Sequence, residues 1–324
     1  MVQNKSVTFL KYPQEYPVPG EHLSVETKEL HVDLKTTSSF ATYMRGKMRN
    51  AKSYSYTPSF QIGKTMDTYG VPVGTVVTGF VGCEQYSVVP GAQRLRPIAN
   101  PRNPKIPLSS YVGVLGMPGL TAYASLKAIG QPKSGETIFI SAASGAVGQI
   151  VGQISKRLGL RVVGSAGSDE KVDFLLKELN FDAAFNYKKG SILENLRAAA
   201  PEGVDIYYEN VGGEILEAAL EMMNAHGRII ACGMISIYNT TNPYGVRNLF
   251  HIVTKRITIR GFVVSDFAQE YGADFAKDVG SWLANGGIIY KEDIADGIDG
   301  APDAFVGMLH GKNFGKQVVK IADL

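Results

Sequence analysis

The chain has 324 residues and a formal net charge of +3, with 44% hydrophobic and 19% charged residues. These values are typical of a globular protein with about two domains and enough core to need no disulfide or metal. The small charge excludes a nucleic-acid footprint, and no segment reaches the roughly 20 apolar residues that span a bilayer. Two cysteines, Cys83 and Cys232, and a first segment without a secretion signal predict a cytoplasmic location.

The first part of the chain, residues 1–115, contains short β-like runs separated by prolines and glycines. The runs are KSVTFL, LSVETKEL, VPVGTVVTGF and EQYSVV. This pattern predicts a mostly β domain. A single β-like run near the end, KQVVKIA, is predicted to rejoin it, so that residues 288–324 complete this domain.

Residues 116–287 alternate between strand-like and helix-like segments. Between Gly145 and Gly159 apolar residues recur at helical spacing, and Gly159 is predicted to end that helix. Further strand and helix patterns follow as far as RITIRGFVV and the helix after it. Six strands that alternate with helices predict an α/β fold with a doubly wound parallel sheet of the Rossmann type.

The bend after the first of these strands fits the frame of the dinucleotide fingerprint G-x-G-x-x-G. Its six residues are Ala143, Ser144, Gly145, Ala146, Val147 and Gly148. Alanine takes the place of the first glycine, the second lets the backbone approach a pyrophosphate, and the third allows close helix packing. The free N–H groups at the helix start suit phosphates. The bend therefore predicts a dinucleotide site; the alternative is a tight turn without a ligand.

The end of the second strand bears on which dinucleotide is bound. An NAD site usually has an acid about 20 residues after the glycines, whereas residues 165–167 here read Ser-Ala-Gly. Lys171 follows one turn later and could bind a 2′-phosphate, which favours NADP. Alternatively, Ser168 only caps a helix, Asp169 and Glu170 favour its dipole, and Lys171 is solvated.

Several longer motifs carry a family resemblance. They are AASGAVGQIVGQISKRLGLRVVGSAGSDEKVDFL, FNYKK, YYENVGG, ACGMISIYN and GKNFGKQVV. In this order they resemble the zinc-free branch of the medium-chain dehydrogenase/reductase superfamily that contains leukotriene B4 12-hydroxydehydrogenase/prostaglandin reductase and the plant double-bond (2-alkenal) reductases. The likeness runs from YMRGKM at 43–48 to GKQVV at 315–319 and is denser in the second domain.

The resemblance implies NADPH-dependent reduction of the C=C bond of α,β-unsaturated aldehydes and ketones. It also implies a GroES-like first domain, an NADP-binding Rossmann domain and a homodimer. Besides the bend, it assigns to the cofactor site Met117, Thr121, Gly167, Lys171, Tyr187, Asn210, Cys232, Phe262, Val264 and Asn313.

The resemblance also implies roles for two tyrosines. Tyr238 matches a proposed proton donor, and Tyr43 matches a tyrosine near the substrate. Either Tyr238 donates the proton to the α-carbon, or solvent does and Tyr238 only anchors the carbonyl or the ribose. Tyr43 could equally be a packing residue, and Cys232 reads better as a small buried hydrophobe than as a nucleophile.

Two departures from the family pattern lie in the first domain. The chain reads TSSFATYMRGKM where relatives read something like SCDPYMRGRM, and it has Cys83 where they carry a tryptophan after GF-x-G. Both changes fall in the substrate half. The sequence therefore does not define the size of the substrate.

The same superfamily contains zinc enzymes, and composition argues against that branch. Two cysteines cannot form a Cys₄ site, Cys83 and Glu84 have no neighbouring histidine, and the five histidines are scattered. The prediction is no metal and, without a Lewis acid for the carbonyl, conjugate reduction. Two alternatives stay open: a quinone reductase of the same superfamily, and a non-catalytic protein that keeps NADPH as a structural ligand.

The run RITIRGFVV is rich in β-branched residues and stands near the end of the alternation. It is predicted to be an edge strand that pairs with a second copy across a two-fold axis. The alternative is an internal strand of one subunit.

Overall fold

The computed structural model describes residues 2–30, 38–39, 75–87 and 95–322. The chain forms two compact units. Unit 1 comprises Met1–Val112, Tyr238–Thr240 and Glu292–Leu324, and unit 2 comprises Gly113–Ile237 and Thr241–Lys291.

The strands and helices of the described residues are numbered in chain order. The strands are β1 (Val2–Phe9), β2 (Leu23–Leu30), β3 (Ser38–Ser39), β4 (Val77–Thr78), β5 (Arg96–Pro97), β6 (Thr137–Ile140), β7 (Arg161–Ala166), β8 (Ala183–Asn186), β9 (Val204–Glu209), β10 (Met223–Ala231), β11 (Thr258–Gly261), β12 (Glu292–Asp296) and β13 (Lys316–Lys320). The α-helices are α1 (Met117–Ser125), α2 (Gly148–Arg157), α3 (Asp169–Lys177), α4 (Ile192–Ala199), α5 (Gly213–Met222), α6 (His251–Thr254), α7 (Ala268–Ala284) and α8 (Ala301–Leu309).

Unit 2 is built on a six-stranded parallel sheet in the order β11-β10-β9-β6-β7-β8. The predicted doubly wound Rossmann sheet is confirmed. All four residues of β6 are buried, as expected for a strand covered on both faces. The strand order reverses between β6 and β9, and ligands of such sheets bind at the carboxyl ends of the strands at this point.

Stacked aromatic rings pack around β6. The Phe139 ring stacks on Phe185 and on Tyr207, with centroids 5.9 and 5.1 Å apart.

Helix α2 ends at Arg157, and Gly159 follows with a φ of +79°, the left-handed conformation that closes many helices. The predicted stop at Gly159 is confirmed.

Unit 1 contains short sheets around one apolar core. Strands β1 and β2 are antiparallel, and β13 pairs with β12 on one side and with β3 on the other. The core cluster contains Phe9, Cys83 and Phe305. The expectation of a single β-like run after residue 288 was wrong, because β12 and α8 precede β13.

The predicted run EQYSVV forms no strand where the structure describes it, at residues 84–87. Glu84 makes only an isolated bridge with Ser6. The Asn4 side chain donates to the Tyr86 carbonyl and accepts from the Tyr86 N–H, both at 3.0 Å. Because these are the groups that a ladder would use, a side chain takes the place of a partner strand at Tyr86.

None of the helices in the described part of the chain combines the length and the apolar character that crossing a membrane requires.

Candidate functional site

The bend between β6 and α2 exposes a set of main-chain donors at the start of a helix. Within it, Ala143 N donates to Ser165 O at 2.9 Å and Gly145 N to Ala142 O at 3.0 Å. The other N–H groups, of Ser144, Ala146, Val147 and Gly148, have no acceptor among the described residues. Unpaired amides at a helix N-terminus, with the positive end of the helix dipole, form an anion site.

Gly148 is the position where α2 lies closest to the bend. A Cβ built there would stand 2.6 Å from Ala142 O and 2.7 Å from Ala143 Cα. At Gly145 a Cβ would meet only Ala142 O, at 3.1 Å. Glycine is therefore a steric requirement at 148, and at 145 it keeps the backbone open to a ligand.

The missing first glycine has a structural explanation on the neighbouring strand. Ala143 is fully buried against β7, where Gly164 faces it. A Cβ on Gly164 would lie 2.9 Å from Ala143 Cβ and equally close to the Phe181 ring. Ala143 thus fits because the residue that faces it on β7, Gly164, has no side chain.

Gly167, which follows β7, and Tyr187, both predicted for the cofactor site, lie next to each other. Ser168 caps α3 by accepting from Lys171 N at 3.3 Å. Tyr187 Oη lies 3.2 Å, and Lys188 Cε 3.5 Å, from the position that a Cβ on Gly167 would take. Burial raises the pKa of Tyr187, so its hydroxyl stays a donor. The predicted cap is present, and it uses the main-chain N–H of Lys171.

Asp169, the acid next to the cap residue Ser168, has two partners in unit 2. The Asp169 carboxylate accepts from Asn186 Nδ2 at 2.9 Å and from Lys189 Nζ. The hydrogen bond from Asn186, followed by the one from Lys189, lowers the pKa of Asp169. Its negative charge is therefore balanced by Lys189, although both groups are exposed.

Asn210 follows β9 and is tied to the residue that follows β6. Its N–H donates to Ser141 Oγ at 2.9 Å and its Nδ2 to Ser141 O at 2.7 Å. Cys232, just after β10, donates its N–H to Glu209 O at 3.0 Å. Burial raises the pKa of the Cys232 thiol to about 12, which keeps it neutral.

Four further predicted residues lie in other elements of unit 2. Met117 and Thr121 are in α1, and Thr121 Oγ1 donates to Met117 O at 2.7 Å. Phe262 and Val264 follow β11, and the Phe262 ring lies 5.6 Å from that of Phe267. All four belong to the same unit as the bend.

The remaining predicted residues are not in unit 2. Asn313 and Tyr238 belong to unit 1, where Asn313 Nδ2 donates to Gly315 O at 2.7 Å. Tyr43 lies outside the described residues. Their predicted roles stay predictions.

The part of the chain that the structure describes contains no group of three His, Cys, Asp or Glu side chains placed to hold one metal ion. Cys83 is buried in the core of unit 1, and burial raises the pKa of its thiol to about 12. The Glu84 carboxylate accepts from Asn4 Nδ2 at 3.0 Å and from Ser87 Oγ at 2.7 Å.

Three residues of this region were not singled out from the sequence: Ser141, Gly164 and Glu209. Glu209 stands in the quoted motif YYENVGG, and its signal is a charged residue at the end of an otherwise apolar strand. Gly164 carries a weaker signal, a glycine inside a strand pattern, which often marks close backbone approach.

Comparisons with known proteins show the family of the chain. The zinc-binding dehydrogenase family matches residues 146–281. A zinc-type alcohol dehydrogenase-like protein of Schizosaccharomyces pombe is 45% identical over the whole of both chains. The NADP⁺-dependent 2-alkenal reductase of Nicotiana tabacum is 43% identical, over 99% of this chain and 98% of its own.

A solved structure gives the same result at the level of the fold. The crystal structure of CurA from Vibrio vulnificus in complex with NADPH superimposes with a TM-score of 0.89 at 35% identity, covering 99% of this chain and 100% of CurA. The full-length identities and the shared fold together mean that the chain belongs to the zinc-binding dehydrogenase family, within the medium-chain dehydrogenase/reductase superfamily.

Proposed function

We propose that the protein is an NADP-dependent double-bond reductase that acts on α,β-unsaturated aldehydes and ketones. The observation that carries the proposal is the bend at residues 143–148, which offers unpaired amides where the strand order of the sheet reverses. The 43% identical 2-alkenal reductase of Nicotiana tabacum supports the substrate class. The NADPH complex of CurA supports the cofactor.

The residues of unit 2 fit a phosphorylated dinucleotide. The amides of Ala146, Val147 and Gly148 would hold the pyrophosphate, and Gly145 would let the backbone approach it. Lys171 and Tyr187 would hold the 2′-phosphate by charge-assisted hydrogen bonds. The pairing of Asp169 with Lys189 and Asn186 reduces the repulsion that a bare carboxylate would exert there.

In the proposed reaction two groups are added across the C=C bond. NADPH, when bound, supplies a hydride to the β-carbon and leaves as NADP⁺. The electron pair of the C=C bond moves to the carbonyl oxygen as an enolate, and the α-carbon then takes a proton. The protein's task is to orient the enone, hold the developing negative charge with hydrogen-bond donors and exclude water. We propose that this needs no zinc.

Tyr238 is the proposed source of either the proton or the hydrogen bond to the carbonyl. If it donates the proton, Tyr238→Phe should lower kcat by about 100-fold or more, since general acids contribute that much. If solvent protonates the α-carbon, the same variant should raise KM for the enone more than it lowers kcat. Tyr43 is proposed to lie near the substrate, and Tyr43→Phe provides the matched comparison.

The assay is the loss of NADPH absorbance with a panel of enals, enones and naphthoquinones, followed by identification of the saturated product. We expect the conjugated enals and enones to be reduced faster than the quinones. Folded protein that binds NADPH but reduces no conjugated carbonyl would contradict the proposed activity. Faster turnover of the quinones would make it a quinone reductase instead.

We propose that residues 116–287 form the NADP-binding domain. Residues 1–115, completed by 288–324, would form the GroES-like catalytic domain and include Tyr43 and Asn313. By these sequence bounds Tyr238 falls within the NADP-binding domain, although it belongs to compact unit 1. A cytoplasmic location is proposed with them, and the two cysteines, both free thiols, support it.

We propose a homodimer that assembles through the edge strand β11. This strand is at the end of the six-stranded sheet and all its residues are exposed. The preceding Phe250 and Val253 are 72% and 65% exposed. Light scattering should give a dimer for the native protein and a monomer for Phe250→Asp. The matched change Leu158→Asp, at an exposed apolar residue elsewhere, should leave the dimer intact.

A further inference from the structure

A buried carboxyl group stands at the reversal point of the sheet. Glu209 is the last residue of β9, the strand that pairs with β6, and Ser141 directly follows β6. The Glu209 residue is 0% exposed. A buried glutamate is rare in proteins unless it is paired, so its partners indicate why it is there.

One oxygen of this carboxyl accepts hydrogen bonds from both main-chain and side-chain donors. Glu209 Oε1 accepts from Tyr207 Oη at 2.8 Å, from Gly212 N at 2.8 Å and from Val211 N at 2.5 Å. Ser141 Oγ lies 3.3 Å from the same oxygen. The group therefore joins the end of β6 to the turn that follows β9.

The other oxygen has no such partner. Glu209 Oε2 makes no hydrogen bond with the described residues, although it is buried. Burial raises the pKa of Glu209, against the lowering effect of the amides of Gly212 and Val211. A neutral acid fits this asymmetry, because its carbonyl oxygen accepts several bonds while its hydroxyl remains available to a buried water or a ligand.

The consequence of this arrangement falls on Asn210. Its N–H and its Nδ2 are both held by Ser141, which leaves Asn210 Oδ1 without a donor among the described residues. In a doubly wound sheet the adenosine half of a dinucleotide lies over the first three strands, here β6 to β8, and the other half over β9 to β11. Asn210 Oδ1 is thus an acceptor held ready on the nicotinamide side.

We propose that Glu209 is a positioning residue for the nicotinamide half of the dinucleotide, because it fixes Ser141 and the turn 210–212 and so holds Asn210 Oδ1 in one place. This inference rests on the proposed NADP-dependent function. Glu209 itself does not need to contact the reacting atoms. It acts through Asn210.

The test compares two ligands that share only one half. NADPH uses both halves of the crevice, whereas 2′,5′-ADP uses only the adenosine half. In Glu209→Ala the dissociation constant of NADPH should rise about tenfold, while that of 2′,5′-ADP should stay within about twofold. Glu209→Gln keeps an acceptor oxygen and a neutral group, so it should restore most of the lost NADPH affinity.

A variant at the other end of the same sheet serves as the control. Glu136 precedes β6 at its amino end and forms an ion pair with Arg228 at 2.7 Å. Glu136→Ala should lower the free energy of unfolding but change neither dissociation constant. Since Glu209→Ala could fail to fold, Ser141→Ala gives a second test: it removes the acceptor of Asn210 N and should weaken NADPH binding several-fold without weakening 2′,5′-ADP binding.

The outcomes separate the inference from the proposed function. Native protein that binds neither ligand would overturn both. Native protein that binds both, with variants at Glu209 and Ser141 that weaken the two ligands equally, would assign these residues a merely structural role and overturn the inference alone. Unchanged binding of both ligands in the variants would overturn it as well.

Discussion

The two ends of the proposed adenosine site use different groups: main-chain N–H groups at one end and side chains at the other. At the bend, residues 143–148 present main-chain N–H groups, and tight packing at Gly148 and Gly164 fixes their position. At the end of β7, Tyr187 and Lys188 lie beside Gly167, Lys171 stands in the helix that follows, and the neighbouring Asp169 is paired on the surface. We therefore expect recognition of the pyrophosphate to depend on backbone geometry and selection of the 2′-phosphate to depend on charge.

The largest effect is expected from a methyl group at the start of α2. In Gly148→Ala the new Cβ would meet Ala142 O at 2.6 Å, and the helix must move away from the bend. We expect a loss of about 1–3 kcal/mol in the free energy of unfolding and at least a tenfold weaker binding of NADPH. Denaturant unfolding and calorimetric titration measure the two quantities.

A matched glycine provides the control for this change. Gly280 lies inside α7 with nothing within 4 Å of its Cβ position. Gly280→Ala should therefore raise the free energy of unfolding by about 0.5–1 kcal/mol and leave the affinity unchanged. An equal response of the two variants would contradict the steric account of Gly148.

The next effect concerns the missing first glycine. Gly164→Ala places a Cβ 2.9 Å from Ala143 Cβ and should cost about 1–3 kcal/mol of stability. Adding Ala143→Gly should recover part of that cost, because one of the two close contacts disappears, while that with Phe181 remains. Strict additivity in this double-mutant cycle would mean that the two positions do not interact.

A change of charge after β7 tests the proposed side-chain contact to the 2′-phosphate. Lys171→Ala should weaken NADPH binding about tenfold or more, because a charge-assisted hydrogen bond contributes about 1.5–3 kcal/mol, and leave NADH binding unchanged. Lys177→Ala, at an exposed lysine of the same helix that pairs with Asp173, is the control. A parallel loss of NADH and NADPH affinity would show that Lys171 does not read the 2′-phosphate.

The smallest effect is expected at the surface pair. Lys189→Ala releases Asp169, whose negative charge then opposes the 2′-phosphate, and the NADPH-to-NADH affinity ratio should fall about two- to threefold at low salt. Lys189→Arg should preserve the ratio. No change in Lys189→Ala at low ionic strength would mean that Asp169 does not influence the choice of coenzyme.

Features that depend on local backbone preferences could be predicted from the sequence, whereas contacts between distant segments could not. Glycines at a fixed spacing after an apolar strand predicted the bend, and strand–helix alternation predicted the six-stranded sheet, because both depend on local backbone preferences. The space that admits Ala143 comes from Gly164 on the next strand, which only the register of β6 and β7 brings opposite.

Side-chain pairing across distant segments was the part that the sequence did not reveal. Asp169 pairs with Asn186 and Lys189, which follow it by 17 and 20 residues in the chain. The Asn4 side chain takes the place of a strand partner for Tyr86. Glu209 was quoted within a motif but not recognised, since its significance lies in its burial beside Ser141. Such contacts follow from tertiary packing and leave no periodic signal.

A calorimetric titration of the native protein with NADPH and, separately, with NADH tests whether the chain binds the phosphorylated coenzyme. We expect saturable binding of NADPH at one site per chain, at least about tenfold tighter than that of NADH, because the 2′-phosphate adds a charge-assisted contact. Absence of binding by either coenzyme, or equal affinity for both, would contradict it.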